Sequence, residues 1–566
     1  MILILLSWMY ILITTINLGV IVENVVSIKN NDSIITSFLG MFLATVLGTV
    51  CALFFRINIE FHVFLLLVNF YVYLKYKHIV YYKYLYLQIT IKNLIFPLKI
   101  ILFATLLLIV AQCASKPYII DNESYYIQTI KWLNEYGLVK GLANLHIFFG
   151  QTSGWHIAQS VFNFSFLYKN FNDLSGFCLL LGSIFSIIKL NNYFENESKI
   201  DLIFGSFTLA NVFFFQFISA PSPDIAVYVL TFIVFYYFIE NSKETLFSTF
   251  SSITILVLYI LFIKTTSIVL VVIPVFLFFL NFKLLKSSKI PLIIISIIIL
   301  GLFVLKNIII TGYPLFPTTL FATNLVNFAV PESLVKSYFN ETKLCGFFLT
   351  SQEFHSLSNF QKFVKWLFMP KIDGFFNLFS FLILIISPLL IYKFLNRKAI
   401  WIIYFIIIFQ MIVLFFSSPQ FRFFIHFILF LSFIVFASIF YKKSTLLIFN
   451  YLSIFLIMVI LFVPISYKSL TQNKLISKNS NFSINNLFIP YSNSKVENKY
   501  EQIKKGNLNY NSPKNNYFFW GNGNGELPCV NKEQLHYFEK YYNVIPQMRT
   551  SNLKDGFYAK KLSPND

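Results

Sequence analysis

Over the first 465 residues, long apolar runs alternate with short polar breaks, and one membrane crossing needs ~20 apolar residues. Runs at 1–22, 36–55, 61–76, 95–113, 174–190, 201–219, 224–240, 249–263, 265–282, 291–311, 374–394, 399–418, 421–441 and 444–465 each predict a spanning helix, about 12–14 in all. The stretch 249–282 is too long for one helix and breaks at Lys264. The pattern lapses in two polar loops, 114–173 and 312–373. Within the first, Tyr126, Ile127, Ile130 and Leu133 recur at helical spacing. Asp121 stands where an N-cap would, and Gly137 where a left-handed stop would. Residues 155–172 are interrupted by His156, Gln159, Asn163 and Lys169, which predicts a helix lying on the membrane rather than crossing it. After 466 the chain turns polar and rich in Lys and Asn. There, 481–516 has little periodicity and reads as loosely folded. A strand-like 517–520, a Gly-Asn-Gly-Asn-Gly turn, a helix over 532–542 and a strand near Phe557 predict a small α/β cap. The expected protein is thus an all-α polytopic membrane domain, 1–465, followed by an α/β tail domain, 466–566.

Composition strengthens this picture. The chain is 57% hydrophobic and 12% charged, with 71 Phe among 566 residues, whereas a soluble domain carries about 25% charge. The net charge of +20 does not point to nucleic acid, because the lysines fall in short clusters between apolar runs and in the tail. The five cysteines have no metal-ligand spacing. The first run lacks a basic leader and a small-residue cleavage site, so it reads as a retained span.

Short loops keep their Lys and Arg on the cytoplasmic side. Lys75, Lys77 and Lys83 form one such cluster, Lys283, Lys286 and Lys289 another, Lys393, Arg397 and Lys398 a third, and Lys442 with Lys443 a fourth. The predicted spans put all four on one side. Both polar loops and the tail then face outward, which in a bacterial inner membrane is the periplasmic or extracellular side.

Several ionisable residues abut that outward face. Asp121 and Glu123 sit two apart in the first loop, spaced to converge on a proton or on a divalent cation such as Mg or Mn. Asp224 opens a span after a Pro-rich turn, Lys264 marks the broken run, and Lys306 with Asn307 lies inside the end of 291–311. Arg422 begins the 421–441 span, and His146 lies in the first loop. Taken singly, each has a plainer reading. Lysines snorkel, an arginine anchors a span end, Asp224 caps a helix and a loop histidine is structural. Trp132, Trp155 and the tyrosines read as an interfacial belt. Three cations gathered against the positive-inside tendency nevertheless fit an anionic ligand, because a buried lysine or arginine usually has a partner.

These residues together resemble the GT-C superfamily of polytopic glycosyltransferases, which carry an acidic motif in the first large outward loop. More narrowly, W-L-N-E-Y-G-L-V-K-G-L-A-N-L-H over 132–146 is similar to a loop in a family of bacterial multi-pass membrane proteins. P-S-P-D at 221–224, K-N at 306–307, G-Y-P-L-F-P at 312–317 and P-Q-F-R-F at 419–423 match in the same order. The resemblance implies a polyprenyl-phosphate-linked sugar donor and a glycan or lipid-linked acceptor. It makes Asp121 the catalytic carboxylate and Glu123 its partner. It departs at Tyr126, where such proteins tend to have His, and at Cys529, where they tend to have a cysteine pair and Cys345 is the thiol left to match. Two other classes stay open. An O-antigen-type polymerase or ligase needs outward arginines but no carboxylate pair. A lipid-linked glycan flippase usually shows paired repeats and broken helices near the midplane.

Overall fold

The computed structural model describes residues 1–242, 246–282, 290–322, 326–471, 473–515 and 518–562. Among them, eleven helices are long and apolar enough to cross a membrane, and three shorter apolar helices accompany them at Phe247–Ile263, Thr265–Leu280 and Ile425–Ile439. Each of the fourteen predicted runs has its counterpart, so the protein is a multi-pass membrane protein whose membrane part is all-α. The Lys283, Lys286 and Lys289 cluster and Tyr517 lie outside the described residues.

The first two helices, Ile2–Val25 and Ser33–Phe54, cross on glycine. A Cβ on Gly19 would stand 2.0 Å from the Thr36 carbonyl oxygen, and one on Gly40 would stand 1.7 Å from that of Thr15. Small residues allow this approach where apolar surface alone gives helices in lipid no reason to associate. The third helix departs from expectation. It continues through a kink at Tyr76 to Lys92, for 34 residues, so Lys75, Lys77 and Lys83 are helical and do not form a loop. Lys83 is buried and reaches Glu23 Oε2 at 2.9 Å. Burying one charge demands the other, and this pair ties the end of the first helix to the third. At the same end of the bundle, Arg397 Nη1 meets Glu240 Oε1 at 3.4 Å, Lys199 donates to the Phe394 carbonyl at 2.9 Å, and Lys443 donates to that of Phe194.

The opposite end carries the loops and the tail. Gly154–Val161 is a short helix whose every residue is buried, which corrects the surface-lying helix expected there. Its polar residues are met internally: Gln159 Nε2 donates to Asp173 Oδ1 at 3.3 Å, and Trp155 Nε1 to Ser175 Oγ at 3.1 Å. Trp132 and Trp155 are fully buried, so neither is a belt residue. Helices Glu332–Phe347, Ser351–Ser356 and Asn359–Leu367 fill the second loop. In the tail, Tyr500–Lys505 and Leu508–Pro513 pair antiparallel, as do Val544–Met548 and Phe557–Lys561, around helix Lys532–Tyr542. A hairpin therefore stands in the segment expected to be loose. The described 518–520 is no strand: Trp520 stacks on Phe148 at 4.6 Å. Cys345 and Cys529 are both free thiols and make no disulfide.

Asp173, just ahead of helix Leu174–Asn196, gives the fold a pH dependence. Burial pushes its carboxyl up to about 6, against partial compensation from Ser7 and Gln159. The folded state therefore holds a proton that the unfolded chain releases near pH ~4. The associated stability is complete below that and is lost as pH rises through about 6. Asp173→Asn is expected to stabilise the fold at neutral pH by on the order of 2–3 kcal/mol, and so to raise its thermal midpoint. The advantage should vanish near pH ~4. Melting curves in detergent at both pH values check this.

Candidate active site

Asn122–Tyr126 winds as a wide π turn before the α-helix Ile127–Glu135, and such turns recur at functional sites. Gly137, at φ +78°, supplies the expected left-handed stop. Asp121 itself has helical φ and ψ and makes no cap bond, which corrects its expected N-cap role. Its side chain instead reaches 301 positions along the chain. Arg422 Nη1 donates to Asp121 Oδ2 at 2.7 Å. Arg422 is aimed by the turn Phe421–Phe423 that follows Pro419. Its Nε donates to Gln420 Oε1 at 3.0 Å, and the Tyr228 hydroxyl donates to its carbonyl.

Asp224 likewise caps nothing. Ser222 and Pro223 open the helix Pro223–Asn241, and Asp224 pairs with Lys264. Lys264 sits in extended backbone between Phe247–Ile263 and Thr265–Val271, its ammonium 4.3 Å from the Phe423 ring centroid. Lys306 and Asn307 stand in the last turns of Ile290–Thr311, both 3% exposed. Asn307 Nδ2 bonds the Pro314 carbonyl at 3.0 Å, and Lys306 donates to the Thr152 carbonyl.

Two cavities meet at this cluster, and Asp121, Asp224 and Arg422 border both. One, about 710 Å³, is otherwise walled mainly by apolar side chains, among them Val212, Phe213, Phe214, Ile225, Phe348, Phe376 and Ile460. The other, about 410 Å³ and the more polar of the two, adds Lys264, Lys306, Asn307, Gln151, Thr152, Ser153, Thr266, Thr342, Ser417 and Gln420, beside the rings of Tyr125, Tyr126, Phe316 and Phe423 and apolar side chains such as Leu261, Phe262, Phe303, Phe339 and Val413. Six of the eight sequence-selected residues thus border one chamber.

The other two do not. Glu123 is 4% exposed and turns into the tail, accepting from the Lys495 backbone N–H at 2.6 Å, from Ser494 Oγ at 2.8 Å and from Asn122 Nδ2 at 3.3 Å. Burial raises its carboxyl despite these donors. Its carbonyl also accepts from the N–H groups of Asn522 and Gly523. Asp121 and Glu123 therefore do not converge, and the pair does not form the ligand set expected for Mg or Mn. Among the described residues no cluster of three His, Cys, Asp or Glu side chains gathers. Glu123→Ala is expected to loosen the tail, at about 1–3 kcal/mol for each donor left unsatisfied. Faster cleavage of the tail in limited proteolysis checks it.

His146 is fully buried against Phe148, Phe149 and Trp520, its Nδ1 accepting from the Phe148 N–H at 3.0 Å. Burial pushes it down to about 3, so it stays neutral and structural. The whole G-L-A-N-L-H stretch is scaffold. Asn144 Nδ2 ties Gly141 to the Phe328 carbonyl at 2.8 Å, and the Gly141 N–H donates to the Ile309 carbonyl, beside the Lys306 turn.

Sequence reasoning missed Gln151, which bonds the Tyr125 and Tyr338 hydroxyls, and His156, whose ring packs 4.6 Å from that of Tyr126. The polar run Q-T-S-G-W-H at 151–156 was the available signal. Burial, with the Lys306 ammonium nearby, pushes His156 down to about 3.

These features define a class: a multi-pass membrane protein that keeps two carboxylate–cation pairs in the wall between an apolar and a polar chamber. The family Domain of unknown function (DUF8201) matches residues 1–429, and the chain belongs to that family. The match takes in all of the site residues and stops short of the tail. No curated protein and no solved structure matches the chain.

Proposed function

We propose that this protein is a membrane glycosyltransferase of GT-C type. It moves a sugar from a polyprenyl-phosphate donor to an acceptor at the outer face of the inner membrane, in cell-surface glycan assembly. The observation that carries this reading is the shared wall. An apolar chamber suits an isoprenoid chain, a hydroxyl- and amide-lined chamber suits a glycan, and Asp121 and Arg422 stand where the two meet. The donor's phosphate lies at Arg422, whose guanidinium forks onto phosphate oxygens.

In the transfer, Asp121 takes the proton from an acceptor hydroxyl. That oxygen forms a bond to the anomeric carbon from the face opposite the phosphate. The carbon–oxygen bond to the phosphate breaks, and its electron pair stays on the phosphate, where fixed positive charge stabilises it. Phosphate and Asp121 compete for Arg422, so an arriving donor draws the guanidinium off the carboxylate and frees it to act as base.

The test is biochemical. Purified protein in nanodiscs, given membrane-extracted polyprenyl-phosphate sugars and the surface glycans of a deletion strain, should consume the former and extend the latter. Deletion cells should accumulate the lipid-linked sugar. A deletion strain with unchanged lipid-linked sugars and unchanged surface glycan sinks the assignment.

A further inference from the structure

The polar chamber is not electrically balanced. Asp121 is matched by Arg422 and Asp224 by Lys264, which leaves Lys306. Its ammonium is buried, lines the chamber and donates to a neutral carbonyl, that of Thr152. Among the described residues no carboxylate forms an ion pair with it. His156, close enough to feel the Lys306 charge, is held neutral by burial and adds no charge of either sign. An ammonium buried without a counter-charge is expensive and tends to give up its proton, and an oxyanion entering the cavity is what would keep that proton on Lys306. In the transferase reading the lipid phosphate lies at Arg422, on the border with the apolar chamber, which leaves Lys306 to a second anion. Asn307 stands beside Lys306 with its amide nitrogen fixed on Pro314. That bond holds Asn307 in place without a ligand.

We infer that the polar chamber takes a substrate bearing its own oxyanion, a carboxylate or a phosphate ester on the acceptor glycan, and that Lys306 receives it. This rests on the transferase reading for the word acceptor, while the binding event itself needs no transfer. A sugar ring carrying one acidic group fits a volume of about 410 Å³, inside the usual span of ~300–1,000 Å³ for small-molecule sites. A charge-assisted bond to Lys306 then sets which end of the acceptor lies deep and which hydroxyl is left near Asp121.

The experiment uses the purified full-length chain in neutral detergent, with glucuronate, glucose 6-phosphate and glucose as probes and the thermal midpoint as readout. Glucuronate or glucose 6-phosphate should raise the midpoint while glucose does not, and which acid is preferred separates the two oxyanions. The shift should persist with a short polyprenyl phosphate already bound. Lys306→Met should weaken acidic-sugar binding roughly tenfold or more, and Lys306→Arg should restore part of it. Without ligand, Lys306→Met should melt no lower than the parent, because it removes an uncompensated charge. An equal response to glucose, no response to any probe, or loss of the shift when polyprenyl phosphate is present would overturn the inference. None of these readouts requires turnover, so an inactive transferase with intact acidic-sugar binding separates failure of the function from failure of the site.

Discussion

Asp121→Asn is expected to lower sugar transfer by roughly 10²–10⁴-fold, the contribution of a positioned proton acceptor, with protein levels unchanged. The substitution is isosteric, and Asn Oδ1 still accepts from Arg422 across the 2.7 Å contact. The Asp121–Arg422 pair is partly exposed, with the two side chains 18% and 39% accessible, so losing its charge should change stability by less than ~1 kcal/mol. Proton acceptance disappears, whereas phosphate binding does not suffer. Arg422 no longer divides its charge between the carboxylate and the donor, so KM for the lipid-linked donor should hold or fall while kcat collapses. Steady-state kinetics with wild type and variant read both parameters. A variant that keeps kcat and loses only affinity would mean that Asp121 merely orients Arg422.

Arg422→Gln is the second large effect and has a different signature. Removing a donor aimed at developing charge costs roughly 10²–10³ in kcat, and here it also removes ground-state attraction for the phosphate, so KM for the donor should rise as well. Arg422→Lys keeps the charge and loses the fork that now spans Gln420 Oε1 and Asp121 Oδ2, so it should recover only part of the activity. Read together, the two positions separate the candidate enzymes. A polymerase or ligase that depends on an outward arginine alone would fail with Arg422→Gln and survive Asp121→Asn. Survival of both substitutions, with surface glycan intact, would leave neither enzyme standing.

The comparison between chain and fold is sharpest at Glu123. Two positions from Asp121, it has the same chemistry and the same polar surroundings in sequence. Nothing local says that Ser494 and Lys495, 371 and 372 positions away, would claim its carboxylate. His146 and Trp132 misled in the same way. Each lies in a loop by sequence, yet each is covered by tail residues, Trp520 and Phe557 respectively. Lys264 and Arg422 were legible as misplaced charges because a cation at the end of an apolar run is visible within ~20 residues. Which carboxylate each would face was not.

The sequence by itself determined the apolar runs that become helices, the two polar loops and the residues at which charge meets membrane, though not where the third helix ends. All of these are local properties, set by how many consecutive side chains water rejects. Tertiary structure alone decided that Asp121 faces Arg422 and Asp224 faces Lys264 and that Glu123 belongs to the tail. It also decided that Lys306 is left without an ionic partner among the described residues. Pairing between these charges depends on helix crossings and on a tail that folds back over the loops. The energy of such contacts belongs to groups 40 to 372 positions apart, beyond the ~20-residue window that reveals a span.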